Sequence, residues 1–146
     1  MPQTFTHQRT VEFNETDLAG IVHFSRFFIW AESAEHALFR KLGLSIVTQL
    51  EDGSELGWPR VNATIDFASP ARFEDTIETQ LWIKELRPKA VVYGFKIVKP
   101  ADGDNPELPL AAGSTTSVCA AFTPSGGMKA TSIPQPISEL LQPYVY

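Results

Sequence analysis

Alternating apolar and polar residues predict strands in several parts of the chain. In residues 4–13, one face of the alternation carries Phe5, His7, Arg9, Val11 and Phe13. The same period recurs in residues 61–67, 77–84, 90–98 and 110–122. Between 84 and 90, Arg87-Pro88-Lys89 is typical of a hairpin turn. We therefore expect five strands, most of them joined by short connections.

One segment has a different period. Between residues 24 and 42, apolar side chains recur at helical spacing, at Phe24, Phe27, Phe28, Ala31, Ala34, Leu38 and Leu42. Gly43 stands where a glycine commonly ends a helix. Residues 45–50 are predicted as a short second helix, 51–59 as a loop, and 137–141 as one helical turn.

The order of these elements indicates the fold class. A strand, a long helix and four further strands suggest an α+β protein, in which an antiparallel sheet wraps around the helix. Hairpin connections argue against a parallel sheet, whose strands need long crossovers. The 146 residues are expected to form a single domain, 1–146.

Composition excludes several classes of function. The formal net charge of −5 gives no basic surface for nucleic acid. No apolar run approaches membrane-spanning length and the first residues are polar, so a cytoplasmic protein without a membrane partner is expected. Cys119 is the one cysteine, so no intrachain disulfide is possible, and its place in a strand-like run indicates a core residue. No His or Cys pair has metal-ligand spacing, so neither a metal nor a cofactor is expected.

The candidate chemistry lies in residues 14–35. Asp17 stands in a tight turn closed by Gly20, and an aromatic helix follows directly. Free N–H groups at a helix start can stabilise negative charge, and a nearby carboxylate can attack a carbonyl or activate water. An Asp in a turn is also often purely structural, bonding to its own backbone. The turn alone therefore favours a structural role for Asp17 over a catalytic one.

The Asp17-Leu-Ala-Gly20 turn before an aromatic helix resembles the signature of the 4-hydroxybenzoyl-CoA thioesterases, a branch of the hotdog-fold superfamily. The order of elements is similar from Phe5 to Pro134. This resemblance implies the hotdog fold, with a five-stranded antiparallel sheet around one long helix. It also implies hydrolysis of an acyl- or aroyl-CoA to the free acid and CoA, where CoA is part of the substrate.

The resemblance assigns roles to single residues of the turn and helix. Asp17 is expected to act as nucleophile or general base, and the backbone N–H of Phe24 to polarise the thioester carbonyl. Gly20 and His23 are placed among the substrate-binding residues, and a catalytic His23–Asp17 pair is the less favoured reading. Glu32 is the alternative base, because other hotdog thioesterases use a helix carboxylate. Glu15 is expected to face solvent, and Glu35 is expected to be a partly exposed helix residue without a catalytic role.

Other assignments concern the rest of the substrate. Phe27, Trp30 and the pair Trp58-Pro59 are expected to form an apolar acyl pocket. Arg87, Lys89 and Lys129 are expected to hold the CoA phosphates, although basic hairpin tips also serve solubility alone. Arg26 departs from the small polar residue often found beside the helix start in this family, so the same substrate as in the relatives does not follow.

Several alternatives stay open at this point. The substrate could be 1,4-dihydroxy-2-naphthoyl-CoA or an acyl group on acyl carrier protein, and a non-catalytic acyl-CoA-binding protein would share the fold. The resemblance implies a homodimer with the site between subunits, and a homotetramer is expected. Open sheet edges and Trp82 on the polar side of its strand favour association.

Overall fold

The computed structural model describes residues 1–146. Its nine strands are β1 (Phe5–Thr10), β2 (Thr48–Gln49), β3 (Glu55–Gly57), β4 (Arg60–Phe67), β5 (Thr76–Leu86), β6 (Ala90–Lys99), β7 (Leu108–Val118), β8 (Ala120–Phe122) and β9 (Met128–Ala130). The α-helices are α1 (Ser25–Lys41) and α2 (Gln135–Leu141), and single 3-10 turns form at Phe13–Glu15 and Gln142–Tyr144.

Five of the strands form the main sheet. Their order is β1-β5-β6-β7-β4, and every neighbouring pair is antiparallel. Strands β5 and β6 form the predicted hairpin and occupy the interior, where Ile77, Leu81 and Phe95 are fully buried. Strand β4 lies at one edge and pairs only with β7, so its outer N–H and C=O groups have no partner strand.

Helix α1 packs against this sheet, mainly on β5 and β1. Its buried stripe includes Trp30, Ala31, Ala34 and Leu38, as helical spacing predicts. Gly43 follows the helix with φ of 74°, a left-handed conformation that glycine adopts without a Cβ clash. The predicted long helix is therefore present with ends within a residue of those expected.

Three predicted elements differ in the structure. The first strand ends at Thr10, because a reciprocal capping box between Glu12 and Glu15 starts a 3-10 turn. The helix predicted for residues 45–50 is wrong, since β2 pairs there with β3, and β3 in turn occupies part of the predicted loop. The strand predicted for 110–122 is divided at Cys119, whose N–H bonds to Lys89 O.

The α+β class and the five-stranded antiparallel sheet are confirmed. The structure adds a second sheet, ordered β2-β3-β8-β9, which is missing from the prediction because its strands are at most three residues long. The helical part consists of α1, the shorter α2 and the two 3-10 turns rather than of one helix. None of the helices has the length and apolar character needed to cross a membrane.

Candidate active site

The loop between β1 and α1 holds Asp17 in a hydrogen-bonded turn. Gly20 N–H donates to Asp17 O (3.0 Å), and Ala19 N–H donates to Asp17 Oδ1 (2.9 Å). Gly20 has φ of 80°, so the turn requires the freedom of glycine here. Asp17 therefore stabilises the turn, but only one of its carboxylate oxygens takes part. Asp17 Oδ2 makes no hydrogen bond within the chain.

Asp17 borders an open, mainly apolar cavity of about 440 Å³. The cavity is bounded by the Asp17 turn, the start of α1 and the end of β4, with Phe24, Phe27 and Phe67 among its residues. The rings of Phe27 and Phe67 meet edge to face, with centroids 5.3 Å apart. A carboxylate therefore stands at the edge of a hydrophobic space, where an uncharged acyl group can bind.

A free backbone donor lies beside this cavity. Helix α1 begins at Ser25, and the N–H of Phe24 has no hydrogen-bond partner in the chain. The Phe24 side chain is 59% exposed and borders the cavity. An unpaired N–H at a helix start is suited to stabilise an oxyanion.

His23 occupies a different position from the one a catalytic pair requires. Its Nδ1 accepts a hydrogen bond from the N–H of Ser25 (3.3 Å) and lies 2.8 Å from Ser25 Oγ. It makes no hydrogen bond to Asp17 and is absent from the cavity wall. The ring thus supports the start of α1, close to the free N–H of Phe24.

Glu15, expected to face solvent, is instead buried, with 6% of its surface exposed. Its Oε2 accepts hydrogen bonds from Arg9 Nη2 and Trp30 Nε1, both at 2.8 Å, and its Oε1 accepts from the N–H of Glu12 at 2.8 Å. Burial is possible because each carboxylate oxygen is bonded and Arg9 supplies the opposite charge. The alternation of β1 places Arg9 on the inner face, but no local pattern pairs it with Glu15.

Glu35, expected to be a partly exposed helix residue, is only 4% exposed. Arg60 binds both of its oxygens (3.0 Å each), and Thr115 Oγ1 donates to Oε2 at 2.9 Å. Burial raises the pKa of Glu35, and the bonds from Arg60 and Thr115 oppose that rise. Glu32, the alternative base, is half exposed and bonds to Arg60 at 3.2 Å. It borders another cavity, away from Asp17.

The remaining predicted site residues lie far from Asp17 within one chain. Arg87 and Lys89 flank the β5–β6 hairpin tip, and Lys129 lies nearby on β9, which pairs with β8 just after Cys119. The Asp17 loop lies near the other end of β5, and this strand of 11 residues spans about 33 Å. Arg87 also pairs with Glu85 at 3.0 Å. One chain therefore does not bring these cations to Asp17.

The residues predicted to form the acyl pocket are also separated from one another within one chain. Phe27 borders the Asp17 cavity, Trp30 is fully buried in the core, and Trp58 borders a separate cavity. Pro59 O accepts a hydrogen bond from the N–H of Val118, at the same end of the sheet as Lys89. Phe67 and residues 68–70 also border the Asp17 cavity, but no site role was predicted for them. Their only sequence signal is their place at the end of the strand predicted for residues 61–67.

The family model described as "Thioesterase-like superfamily" matches residues 11–141, which includes every element just described except β1 and the last 3-10 turn. The chain is 29% identical over 113 residues to the 4-hydroxybenzoyl-CoA thioesterase of Pseudomonas sp. (strain CBS-3), covering 77% of this chain and 80% of that protein.

A second relative and a solved structure, both from Synechocystis, are also similar to this chain. The 1,4-dihydroxy-2-naphthoyl-CoA hydrolase of Synechocystis sp. is 29% identical over 133 residues, covering 91% of each chain. A crystal structure of a 1,4-dihydroxy-2-naphthoyl-CoA thioesterase from Synechocystis superposes with a TM-score of 0.81 at 28% identity, over 96% of each chain. These relatives and this chain thus share both sequence and architecture over nearly their whole lengths.

Proposed function

The chain belongs to the thioesterase-like superfamily and has its hotdog fold, and we propose that it hydrolyses an acyl- or aroyl-CoA to the free acid and CoA. The thioesterase names of its relatives support a thioester hydrolase. One observation carries the proposal. The Asp17 carboxylate, which has one oxygen without a hydrogen bond, and the unpaired N–H of Phe24 lie beside the same apolar cavity.

The mechanism begins with the thioester carbonyl between these two groups. Asp17 Oδ2 attacks the carbonyl carbon, or removes a proton from a water molecule that attacks it. The N–H of Phe24 donates to the oxyanion that develops. The carbon–sulfur bond then breaks, and the CoA thiolate takes up a proton. In the nucleophilic variant, water cleaves the resulting anhydride and restores the Asp17 carboxylate. Neither variant needs a metal or a cofactor.

The unpaired edge strand β4 supports a proposal for how two copies assemble. Its outer side is unpaired and exposes Val61 and Phe67, which are 62% and 51% exposed. We propose that two copies join through antiparallel pairing of their β4 strands. This pairing sets the Phe67 end of one strand beside the Arg60 end of the other. A homotetramer would then form by packing of two such dimers.

This dimer brings together groups that one chain keeps apart. The hairpin tip with Arg87 and Lys89 lies at the Arg60 end of the sheet, so in the proposed dimer it lies at the same end of the joined sheet as the partner's Asp17 cavity. Cations at an exposed rim are suited to bind the CoA phosphates. Light scattering across a dilution series, with activity measured on the same samples, tests whether the active form is this dimer. A stable monomer with full specific activity would exclude the shared site.

The experiment on the reaction itself is a panel of thioesters with a thiol-detecting reagent. It should include 4-hydroxybenzoyl-CoA, 1,4-dihydroxy-2-naphthoyl-CoA, a medium-chain acyl-CoA and an acyl carrier protein thioester. The naphthoyl ester is a particular candidate, because the similarity to the Synechocystis proteins extends over at least 91% of the chain. Release of CoA supports the hydrolase. Tight binding of acyl-CoA without release would instead support the non-catalytic binding protein.

A further inference from the structure

The turn that carries Asp17 lies on the surface of the chain. All four residues of the turn, 17–20, are exposed, and Leu18 is fully so. The base of the same loop is more constrained, because Glu15 is buried there and Thr16 pairs with Val22. A shift of about 1 Å in a reacting group can lower a rate about 100-fold, so catalysis by this carboxylate requires that the turn be held in place.

Almost all hydrogen bonds of the turn stay within its own loop. Asp17 N–H donates to Ile21 O at 2.9 Å, and Gly20 N–H donates to Asp17 O at 3.0 Å. One hydrogen bond joins residues 17–20 to another part of the chain, and in it Arg72 Nη1 donates to Gly20 O at 3.4 Å. The tip of the turn therefore has a single hydrogen-bonded restraint from outside the loop.

Arg72 belongs to the connection between β4 and β5, residues 68–75, which also borders the Asp17 cavity. The backbone of Arg72 is fixed within this connection, because its N–H donates to Asp75 Oδ2 at 2.8 Å. Asp75 Oδ1 in turn pairs with Lys99 Nζ at 3.2 Å, which ties the connection to β6. The side chain that reaches the turn thus starts from a well-anchored position.

Backbone hydrogen bonds attach the same connection to both ends of the Asp17 loop. Val22 N–H donates to Ala71 O at 2.8 Å, Val11 N–H donates to Asp75 O at 2.8 Å, and Glu74 N–H donates to Val11 O at 3.0 Å. Glu74 has φ of 69°, the one positive φ of a non-glycine residue in the chain. Such strained positions persist where the surrounding structure holds them, and they are frequent at functional sites.

The charge of Arg72 is not used in an ion pair. Asp and Glu outnumber Lys and Arg by 17 to 12, yet none of the ion pairs of the chain includes this guanidinium. It is directed instead at the neutral carbonyl of Gly20. A charged donor forms a stronger hydrogen bond than a neutral one, which favours this long and exposed contact.

We propose that Arg72 is a positioning residue, which holds the tip of the Asp17 turn in register with the N–H of Phe24. The inference rests on the proposed function and adds to it a residue from outside the catalytic loop. Arg72 does not border the Asp17 cavity, so it acts through the Gly20 carbonyl rather than on the substrate. Its loss should leave the binding surface intact and displace the carboxylate, which lowers kcat rather than raising KM.

The first test is steady-state kinetics of Arg72 variants. Arg72→Ala should lower kcat about tenfold and change KM by less than about twofold, and Arg72→Lys, which keeps a charged donor, should recover part of the loss. Lys99→Ala is the matched control, since it removes a cation from the same connection without touching the turn. Its kcat should stay within about twofold of wild type. Equal kcat values for Arg72→Ala and Lys99→Ala would overturn the inference.

The second test asks whether Arg72 acts through Asp17. In an Asp17→Asn background no carboxylate remains to be positioned, so adding Arg72→Ala should lower the residual kcat by less than about twofold. A loss of about tenfold in both backgrounds would show that Arg72 acts independently of Asp17, contrary to the inference.

Hydrogen exchange followed by mass spectrometry tests the restraint without any substrate. Amides in the segment that contains residues 17–20 should exchange at least about threefold faster in Arg72→Ala than in wild type, and at the wild-type rate in Lys99→Ala. The urea midpoints of both variants should stay near wild type. Unchanged exchange in Arg72→Ala would overturn the inference. If exchange is faster but the wild type hydrolyses no thioester, the proposed function fails while the restraint of the turn by Arg72 stands.

Discussion

Trp30 Nε1 donates a hydrogen bond of 2.8 Å to Glu15 Oε2, which joins the core of α1 to the loop that carries Asp17. The same oxygen accepts from Arg9 on β1, and the backbone of Glu15 accepts from the N–H of His23. One buried residue therefore connects β1, α1 and both ends of the loop that carries Asp17. We interpret Glu15 as the group that fixes Asp17 relative to the N–H of Phe24.

Replacing Glu15 should lower activity by more than the accompanying loss of folding stability can explain. Glu15→Ala leaves Trp30 Nε1 and Arg9 without their acceptor, which should lower the free energy of unfolding by about 1–3 kcal/mol. It should also lower kcat with little change in KM, because the loop loses its geometry rather than its substrate contacts. Urea denaturation and steady-state kinetics measure the two effects.

Ile137→Ala is the matched control for that experiment, since Ile137 is buried in α2, away from the loop. It should cost about 2–5 kcal/mol and leave kcat near wild type at a temperature where it is folded. Glu15→Gln, which keeps an acceptor for Trp30, should recover part of the lost kcat. Equal kcat values for Glu15→Ala and Ile137→Ala would show that Glu15 contributes stability alone.

The Glu35–Arg60 pair should make stability depend on pH in a defined direction. Burial raises the pKa of Glu35, so above the ordinary Glu pKa the folded state retains a proton that the unfolded state has released. This contribution to stability is complete below that value and is lost as pH rises through the raised pKa. Arg60 limits the loss because it favours the carboxylate.

Arg60→Met removes that compensation. The variant should be about 3–5 kcal/mol less stable than wild type at pH 7.5, and closer to wild type at a pH near the ordinary Glu pKa, where Glu35 is more readily protonated. Denaturant unfolding at the two pH values measures this. Glu32→Gln removes the exposed partner of Arg60 and should cost less than about 1 kcal/mol. An Arg60→Met loss that does not change with pH would contradict the assignment.

The Cys119 thiol should be unreactive toward thiol reagents in the folded protein. It is fully buried, and burial raises the pKa of its thiol to about 11, so almost no thiolate exists at neutral pH. A thiol reagent should modify it only after unfolding, and Cys119→Ser should still hydrolyse thioesters. Rapid modification of the native protein, with loss of activity, would instead make it a functional thiol.

The three cations expected to hold the CoA phosphates, Arg87, Lys89 and Lys129, can be tested separately. Lys89→Ala and Lys129→Ala should raise KM for CoA thioesters about two- to tenfold with little change in kcat, because the phosphates lie far from the cleaved bond. Arg87→Ala should have a smaller effect, since Arg87 already pairs with Glu85. Higher salt should reduce all three effects. Unchanged KM in every variant would place the nucleotide elsewhere.

The parts of the fold that the sequence predicted are those set by local periodicity. Helix α1 and strands β5 and β6 have long, regular patterns, and their positions were close to those expected. The short strands of the second sheet were missed because pairing partners distant in sequence decide them, as with β3 and β8. The break at Cys119 has the same origin.

The site was predictable only where its geometry is local. The Asp17 turn and the start of α1 are contiguous in sequence, and the structure brings them to one cavity. The burial of Glu15 and Glu35 was not predictable, because their partners Trp30 and Arg60 come from other elements. The distance between Asp17 and the hairpin cations depends on sheet topology and on assembly, which no local pattern encodes.

CoA release by Asp17→Asn and by Glu32→Gln, each compared with the wild type, tests whether Asp17 is the carboxylate that drives hydrolysis. Asp17→Asn should fold and assemble normally, because its amide oxygen can still accept from Ala19 N–H, while kcat falls at least about 100-fold. Glu32→Gln should stay within about threefold of wild type, since Glu32 lies half exposed at another cavity. Near-normal turnover by Asp17→Asn together with an inactive Glu32→Gln would contradict the account and make the helix carboxylate the base.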